Sequence, residues 1–442
     1  MRSQPAFAAP RPQRADWLPP SLVLAAMGFN LILCFLNGRF LPVSNLHVMA
    51  GEALILATAL LAAYGTMRQE HLLLLSGTVV FALGLASLRV ALGTEPSLNI
   101  KIVRDLAIPI VFFLVGLRVA DIGRADRLVT LVAGLVLALA LFEYFAVDVF
   151  TDYFNVARYY VARGTMDAQE ALKAGDLFIS GVRPAGAQGG RNLLPFLGDH
   201  RVSSVFLEPV SMGNFGLIVF TWGLVRSKFE GKLFLGVMGA GLACVVLSDS
   251  RFGAYFCLMS LVVVLLPAAL ARLAVALAPL AAIGVLLAVP YVVTGSYDPQ
   301  HRYVDNGFVG RLVLSGQILA EFDWRNWLGL APLPLSTFDS GYAYVLEGIG
   351  AVGVAAGWLV FQSLRGASTQ FDTFRNVAAM YYAVLLSVSN SPFTIKTASL
   401  LWFLLGVLSR DPGRPKVPAP APAPTPMLRT AKLRAARRLA LR

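Results

Sequence analysis

Residues 297–350 read YDPQHRYVDNGFVGRLVLSGQILAEFDWRNWLGLAPLPLSTFDSGYAYVLEGIG. About two dozen apolar residues precede this stretch, and the chain turns apolar again after Tyr342. It therefore joins two membrane spans. A connection of roughly forty residues is far longer than ordinary loops, and long structured loops carry function more often than short ones. It holds His301, Arg302, Asp305, Arg311, Asp323, Trp324 and Arg325. Val309, Leu312, Leu314, Ile318 and Leu319 recur near helical spacing, which predicts an amphipathic helix over Gly310 to Glu321 lying on the membrane surface.

Working outward, the same apolar character dominates the chain. Of 442 residues, 57% are hydrophobic and 14% charged, with a mean hydropathy of +0.68. A soluble domain is about 45–50% apolar and about 25% charged. The expected fold is all-α, a polytopic membrane bundle with two long periplasmic loops carrying amphipathic helices. At about 20 apolar residues per span, twelve segments qualify: 19–37, 46–66, 71–92, 102–120, 127–148, 204–225, 232–248, 252–270, 273–294, 339–363, 374–390 and 396–410. Arg272 alone separates two of these runs, so eleven spans is the alternative count. Residues 1–18 form an N-terminal tail with no small-residue cleavage site after it, and 411–442 a Pro/Ala-rich basic tail. No internal repeat relates the two halves.

The net charge of +12 does not imply nucleic acid, because the cations sit in short runs between apolar segments. Arg68, Arg118, Arg124, Arg127, Arg226, Lys228, Arg365, Arg375 and Arg410 fall on the side shared by both termini. The positive-inside rule makes that side cytoplasmic and puts the long loops 149–203 and 295–338 on the opposite side of the membrane. The outer side still carries many cations, Arg39, Arg89, Arg163 and Lys396 among them, which topology does not require. An electropositive vestibule suits an anionic substrate. Cys34, Cys244 and Cys257 lie in apolar spans and form no metal-ligand or disulfide pattern.

Ionisable residues within or beside spans are costly and usually serve function. Glu52 and His47 open the second span; Lys101, Arg104 and Asp105 the fourth; Arg201 precedes the sixth, and Arg251 opens the eighth. Glu208 follows Arg201 by seven residues, so two helical turns would place both on one face of the sixth span. A lone arginine at the membrane edge more often snorkels to headgroups. Convergence of Arg201, Arg251 and Arg311 beside Glu208 would argue otherwise.

Three motifs stand in order over residues 200–365: R-x-S-x-x-F-x-E-P from Arg201 to Pro209; SDSRFG with Ser250 and Arg251; and Gly310–Arg311 leading to Trp327, Gly329 and DSGYAYVLEGIGAVG. In these the chain resembles the integral-membrane O-antigen ligase and Wzy-type polysaccharide polymerase superfamily. Earlier spans match only in being apolar. The resemblance implies a glycosyltransferase acting at the periplasmic face on a glycan carried by undecaprenyl pyrophosphate, without metal or cofactor. The absence of D-x-D and H-E-x-x-H motifs agrees with that. The family's pyrophosphate-holding arginines map to Arg201, Arg251 and Arg311, with Arg302, Arg104, Lys101 and Tyr342 joining the substrate-binding set. Glu208 is the first expected base, then His301 and Asp305, with His200 behind. A salt bridge to an arginine is the competing role for Glu208.

Ligases of this family place a His-Asn pair where the tenth span begins. Here the residues are Asp339, Ser340, Gly341 and Tyr342. That departure favours polymerisation of repeat units into a surface polysaccharide over ligation to lipid A core. A lipid-linked oligosaccharide flippase, from a different class, would show two related halves and short loops. A chain-length regulator and a separate flippase are the protein partners the polymerase reading implies.

Overall fold

The computed structural model describes residues 17–119, 121–178, 181, 193–231, 234–297, 308–332 and 340–410. His301, Arg302, Asp305 and Asp339 lie outside these residues. Among the described residues the chain is all-helical, with no strand. Its helices are α1 (Leu18–Arg39), α2 (Asn45–Tyr64), α3 (Gln69–Ala91), α4 (Ile100–Val119) and α5 (Ile122–Phe145). Three short helices follow, α6 (Val147–Tyr153), α7 (Val156–Ala162) and α8 (Ala168–Ala174). Next come α9 (Pro209–Glu230), α10 (Leu235–Leu247), α11 (Arg251–Leu265) and α12 (Ala268–Thr294). The chain ends with α13 (Phe308–Ala320), α14 (Trp324–Trp327), α15 (Gly341–Ser363), α16 (Thr369–Leu385) and α17 (Ile395–Arg410).

Among the described residues, six helices are long and apolar enough to cross a membrane: α1, α2, α3, α5, α12 and α15. This is a helical membrane protein. The other six expected spans exist as helices, α4, α9, α10, α11, α16 and α17, but do not meet both requirements. Four are short, from 13 residues in α10 to 17 in α16. That is about 20–26 Å at 1.5 Å per residue, against a hydrocarbon core of about 30 Å. The two longer ones carry polar groups: Lys101, Arg104, Asp105 and Arg118 on α4, and Asn214, Thr221 and Arg226 on α9.

These polar helices are the buried ones. Helix α17 packs along α4 so closely that a Cβ on Gly116 would strike the Phe403 carbonyl, and one on Gly406 the Phe113 carbonyl. Without a hydrophobic force between helices in lipid, such small-residue contacts are what allows two helices to pack tightly. The charge-bearing helices thus sit inside a shell of apolar ones.

The ends of the bundle differ. At one end cations cap helix carbonyls or pair with acids. Arg226 pairs with Asp126 at 2.8 Å, Arg272 with Asp372 at 3.3 Å, and Arg410 donates to the Leu117 carbonyl at 3.2 Å. Helix α17 ends here, and α1 begins here. The C-terminal half of α1 lies at the opposite end, where Arg39 donates to the Asp152 carbonyl at 2.8 Å and Tyr159 donates to Asn30 at 2.7 Å.

Two expectations need correction. The segment Gly310 to Glu321 does not lie alone on a surface. As α13 it buries Gly310, Val313 and Gly316–Leu319 against the bundle, and Gly316 abuts Leu286 and Pro290 of α12. Its amphipathic pattern faces protein on the apolar side. Helix α15 is also not one rod. Gly350 adopts φ 66°, ψ 169° and breaks it. Arg89, only 1% exposed, donates to the Gly348 carbonyl at 2.6 Å and the Gly329 carbonyl at 2.8 Å. An outer cation of the sequence is therefore spent on satisfying carbonyls at the break.

Candidate functional site

The site forms where the chain enters α9. Residues 201–208 form no α-helix, so Arg201 and Glu208 do not share a helix face. Ser204–Phe206 is a single 3-10 turn, and Ser204 (φ 51°) and Leu207 (φ 61°) take left-handed backbone that bulky side chains avoid. Glu143, fully buried at the end of α5, pins this turn. Its carboxylate accepts from the Ser203 amide at 2.9 Å, the Ser204 amide at 2.5 Å and the Ser203 hydroxyl at 3.1 Å. His200 contacts the same carboxylate at 2.9 Å. That ties His200 to the scaffold carboxylate that pins the turn.

Glu208 becomes the residue before α9, followed by Pro209 at the first helical position. Its carboxylate accepts hydrogen bonds from Tyr160 of α7, from Ser211 at 2.9 Å and from Lys396 of α17 at 3.2 Å. Lys396 also donates to the Phe206 carbonyl at 3.0 Å. The ion pair expected for Glu208 exists, but with a lysine instead of an arginine. Burial, with Glu208 beside it, holds the Tyr160 phenol well above its ordinary range, so its hydroxyl remains a donor. Arg163 lies 5.2 Å from the centres of both the Tyr159 and Tyr160 rings, a cation over two aromatic faces.

A second charged group adjoins this one. Arg104 meets Glu52 of α2 at 2.5 Å and Asp105 at 2.6 Å, and Tyr344 of α15 donates to Asp105 at 2.6 Å. Lys101 lies over the Tyr344 ring at 5.0 Å. Arg163 and Lys396 both act electrostatically on Glu52, which joins the two groups into one field. Six elements meet there, α2, α4, α7, α15, α17 and the start of α9.

Arg201 is buried and turned toward the α10–α11 connection. Its Nε donates to the Ser248 carbonyl at 3.1 Å, and its Nη2 lies 3.5 Å from the Asp249 carbonyl. It holds the turn that presents Arg251. Ser250 caps α11 by accepting from the Gly253 amide at 3.1 Å, so Arg251 stands on the first turn, half-buried. Arg251 has no hydrogen-bond or ion-pair partner among the described residues. Ser250 abuts Gly213, five residues beyond Glu208, so both charged groups flank the same end of α9. Arg311 connects less directly. Tyr255, one turn after Arg251, touches Phe308, three residues before Arg311, with ring centres 6.2 Å apart.

Tyr342 does not belong to the site. It is 1% exposed, and its hydroxyl donates to the Ala383 carbonyl at 2.8 Å, locking α15 to α16. Sequence reading named Lys396 and Arg163 only as outer cations, and passed over Tyr160 and Glu143. Lys396 had a signal, since a charged residue inside a closing apolar run is itself unusual. Tyr160 had none, because its role depends on the fold of the loop around it. Compared with known proteins, the chain matches no family model, no curated protein and no solved structure.

Proposed function

We propose that this protein is a membrane glycosyltransferase that polymerises oligosaccharide repeat units carried on a polyprenyl pyrophosphate, at the periplasmic face of a bacterial inner membrane. The observation that carries the reading is the group of cations around one end of α9. Lys396 pairs with Glu208, Arg163 lies over the ring of the Tyr160 that bonds Glu208, and Arg251 stands free of protein partners among the described residues. A buried field of this kind favours a dianionic leaving group over any neutral ligand. The end of the bundle with capped and paired arginines is the cytoplasmic one in this reading, with both chain termini on that side.

In the reaction, a sugar hydroxyl of the acceptor attacks the anomeric carbon of the donor. The new C–O bond forms as the bond to pyrophosphate breaks, and the bonding pair leaves with the pyrophosphate oxygen. Arg251 receives that charge through its planar fork. The hydroxyl proton passes to Glu208, which the incoming acceptor must free from Tyr160 or Lys396. His301, Arg302 and Asp305, on the loop outside the described residues, are the further proposed base and phosphate contacts.

The test is the glycan made by a strain lacking the gene. Single repeats on the lipid carrier, restored to long polymer by the wild-type chain, support polymerisation. Uncapped core with long lipid-linked chains would instead mean ligation, and unchanged polymer would exclude both.

A further inference from the structure

A cavity of about 1190 Å³ lies between α3, α4 and α15; at one end Leu106 and Val345 adjoin Asp105 and Tyr344 of the second charged group, and the other end points away from the site. Its wall is apolar, with Phe81, Leu106, Phe113 and Ile349 among the lining side chains. At one end the wall becomes cationic. Arg68, Arg365 and Arg410 line that end, with Glu70 as the acid among them. This is the end opposite the Glu208 group, where α2 turns into α3 and α17 finishes. Along α4 the cavity runs from Leu106 to Leu117, about 16 Å at 1.5 Å per residue. One leaflet of a bilayer supplies about 15 Å of hydrocarbon, half of about 30 Å. The volume also exceeds the roughly 300–1,000 Å³ of ordinary small-molecule sites.

Length, lining and charge therefore agree on one kind of occupant. We propose that this groove holds one anionic phospholipid of the leaflet at that end, its phosphate at Arg68 and Arg365 and its acyl chains along α3, α4 and α15. Basic pockets between membrane helices on the cytoplasmic side take anionic headgroups in this way. Arg365 is exposed and has no ion-pair partner among the described residues. Arg68 is 76% exposed beside Glu70 at 3.5 Å, a surface pair that a phosphate can displace at little cost. Helix α3, one wall of the groove, is only 11% buried over its apolar window, so protein alone leaves it open. Below the break at Gly350, the lipid joins the second half of α15 to α3. The proposal stands apart from the glycosyltransferase reading.

The test reconstitutes the full chain in vesicles of phosphatidylcholine and phosphatidylglycerol in equal parts and counts lipids retained after detergent extraction by native mass spectrometry. The wild-type chain should keep one phosphatidylglycerol, with a preference over phosphatidylcholine of about tenfold. Arg68→Gln with Arg365→Gln should bring that preference near parity. Arg410 is left intact because it caps the Leu117 carbonyl. Gly77→Leu with Gly357→Leu should expel both lipids. A Cβ at either glycine meets nothing within 4 Å, so the added side chains fill the groove without a collision. A single elution peak shows that each variant is folded. The proposal is overturned if the arginine variant keeps its preference, or if the leucine variant keeps its lipid. It is also overturned if a polyprenyl phosphate displaces the phosphatidylglycerol one for one, which would assign the groove to the donor's tail.

Discussion

Lys396 Nζ lies 3.2 Å from Glu208 Oε1 and 3.0 Å from the Phe206 carbonyl oxygen, so one lysine ties the start of α17 to the entry of α9. The lysine side chain is 9% exposed and the glutamate 28%. Removing one member of such a pair strands the other's charge and costs about 3 kcal/mol. Lys396→Met should therefore lower the melting temperature in detergent, and adding Glu208→Gln should restore a large part of it. Equal additive losses in the double-mutant cycle would mean that the pair contributes nothing.

Glu208→Gln alone keeps the shape and the hydrogen bond from Tyr160. The variant should lose some stability, because the Lys396 charge is stranded, yet still yield folded protein, and that protein should make no polymer. Full-length polymer from a stable Glu208→Gln protein would remove Glu208 as the base and move that role to His301.

Arg201 and Arg251 should separate by phenotype. Arg201→Gln leaves the Ser248 and Asp249 carbonyls short of a donor in a buried turn, at about 1–3 kcal/mol, and should reduce protein levels. Arg251→Lys should leave levels intact and lose most polymer, since charge is kept while the two-pronged donor is lost. Immunoblots beside glycan gels distinguish the two, and matching behaviour of both variants would contradict the division.

The crossing of α4 and α17 should tolerate nothing larger than glycine. Gly406→Leu drives a side chain into the Phe113 carbonyl and should cost at least about 1–3 kcal/mol, with little folded protein recovered. Gly239→Leu, where a Cβ meets nothing within 4 Å, is the matched control and should accumulate normally.

Orientation is open to labelling. A cysteine at Asp167, exposed beside α8, should react with an impermeant maleimide in intact cells, and one at Glu230 should react only after lysis. The three native cysteines are buried and give low background. Labelling of Glu230→Cys from outside would invert the topology and the proposed function with it.

The sequence by itself determined that this is a helical membrane protein and where its apolar segments fall. Both depend on composition along a single segment, and each expected span falls on a helix, although residues 204–208 precede α9 and Gly350 breaks α15. It also separated the two ends, because arginines near short loops follow the chain locally. Only the tertiary structure decided which charges meet. Glu208 finds Lys396 at 188 residues' separation and Tyr160 at 48, distances along the chain that no local period encodes. The two-turn argument for Arg201 and Glu208 failed because Glu143, buried in α5, binds the Ser203 and Ser204 amides and holds that stretch out of helix. Tyr342, expected in the substrate-binding set, and Arg89, expected as an outer cation, take structural roles for a related reason. A buried carbonyl left free by a helix end or break requires a donor, and only the packing of other helices determines which side chain reaches it.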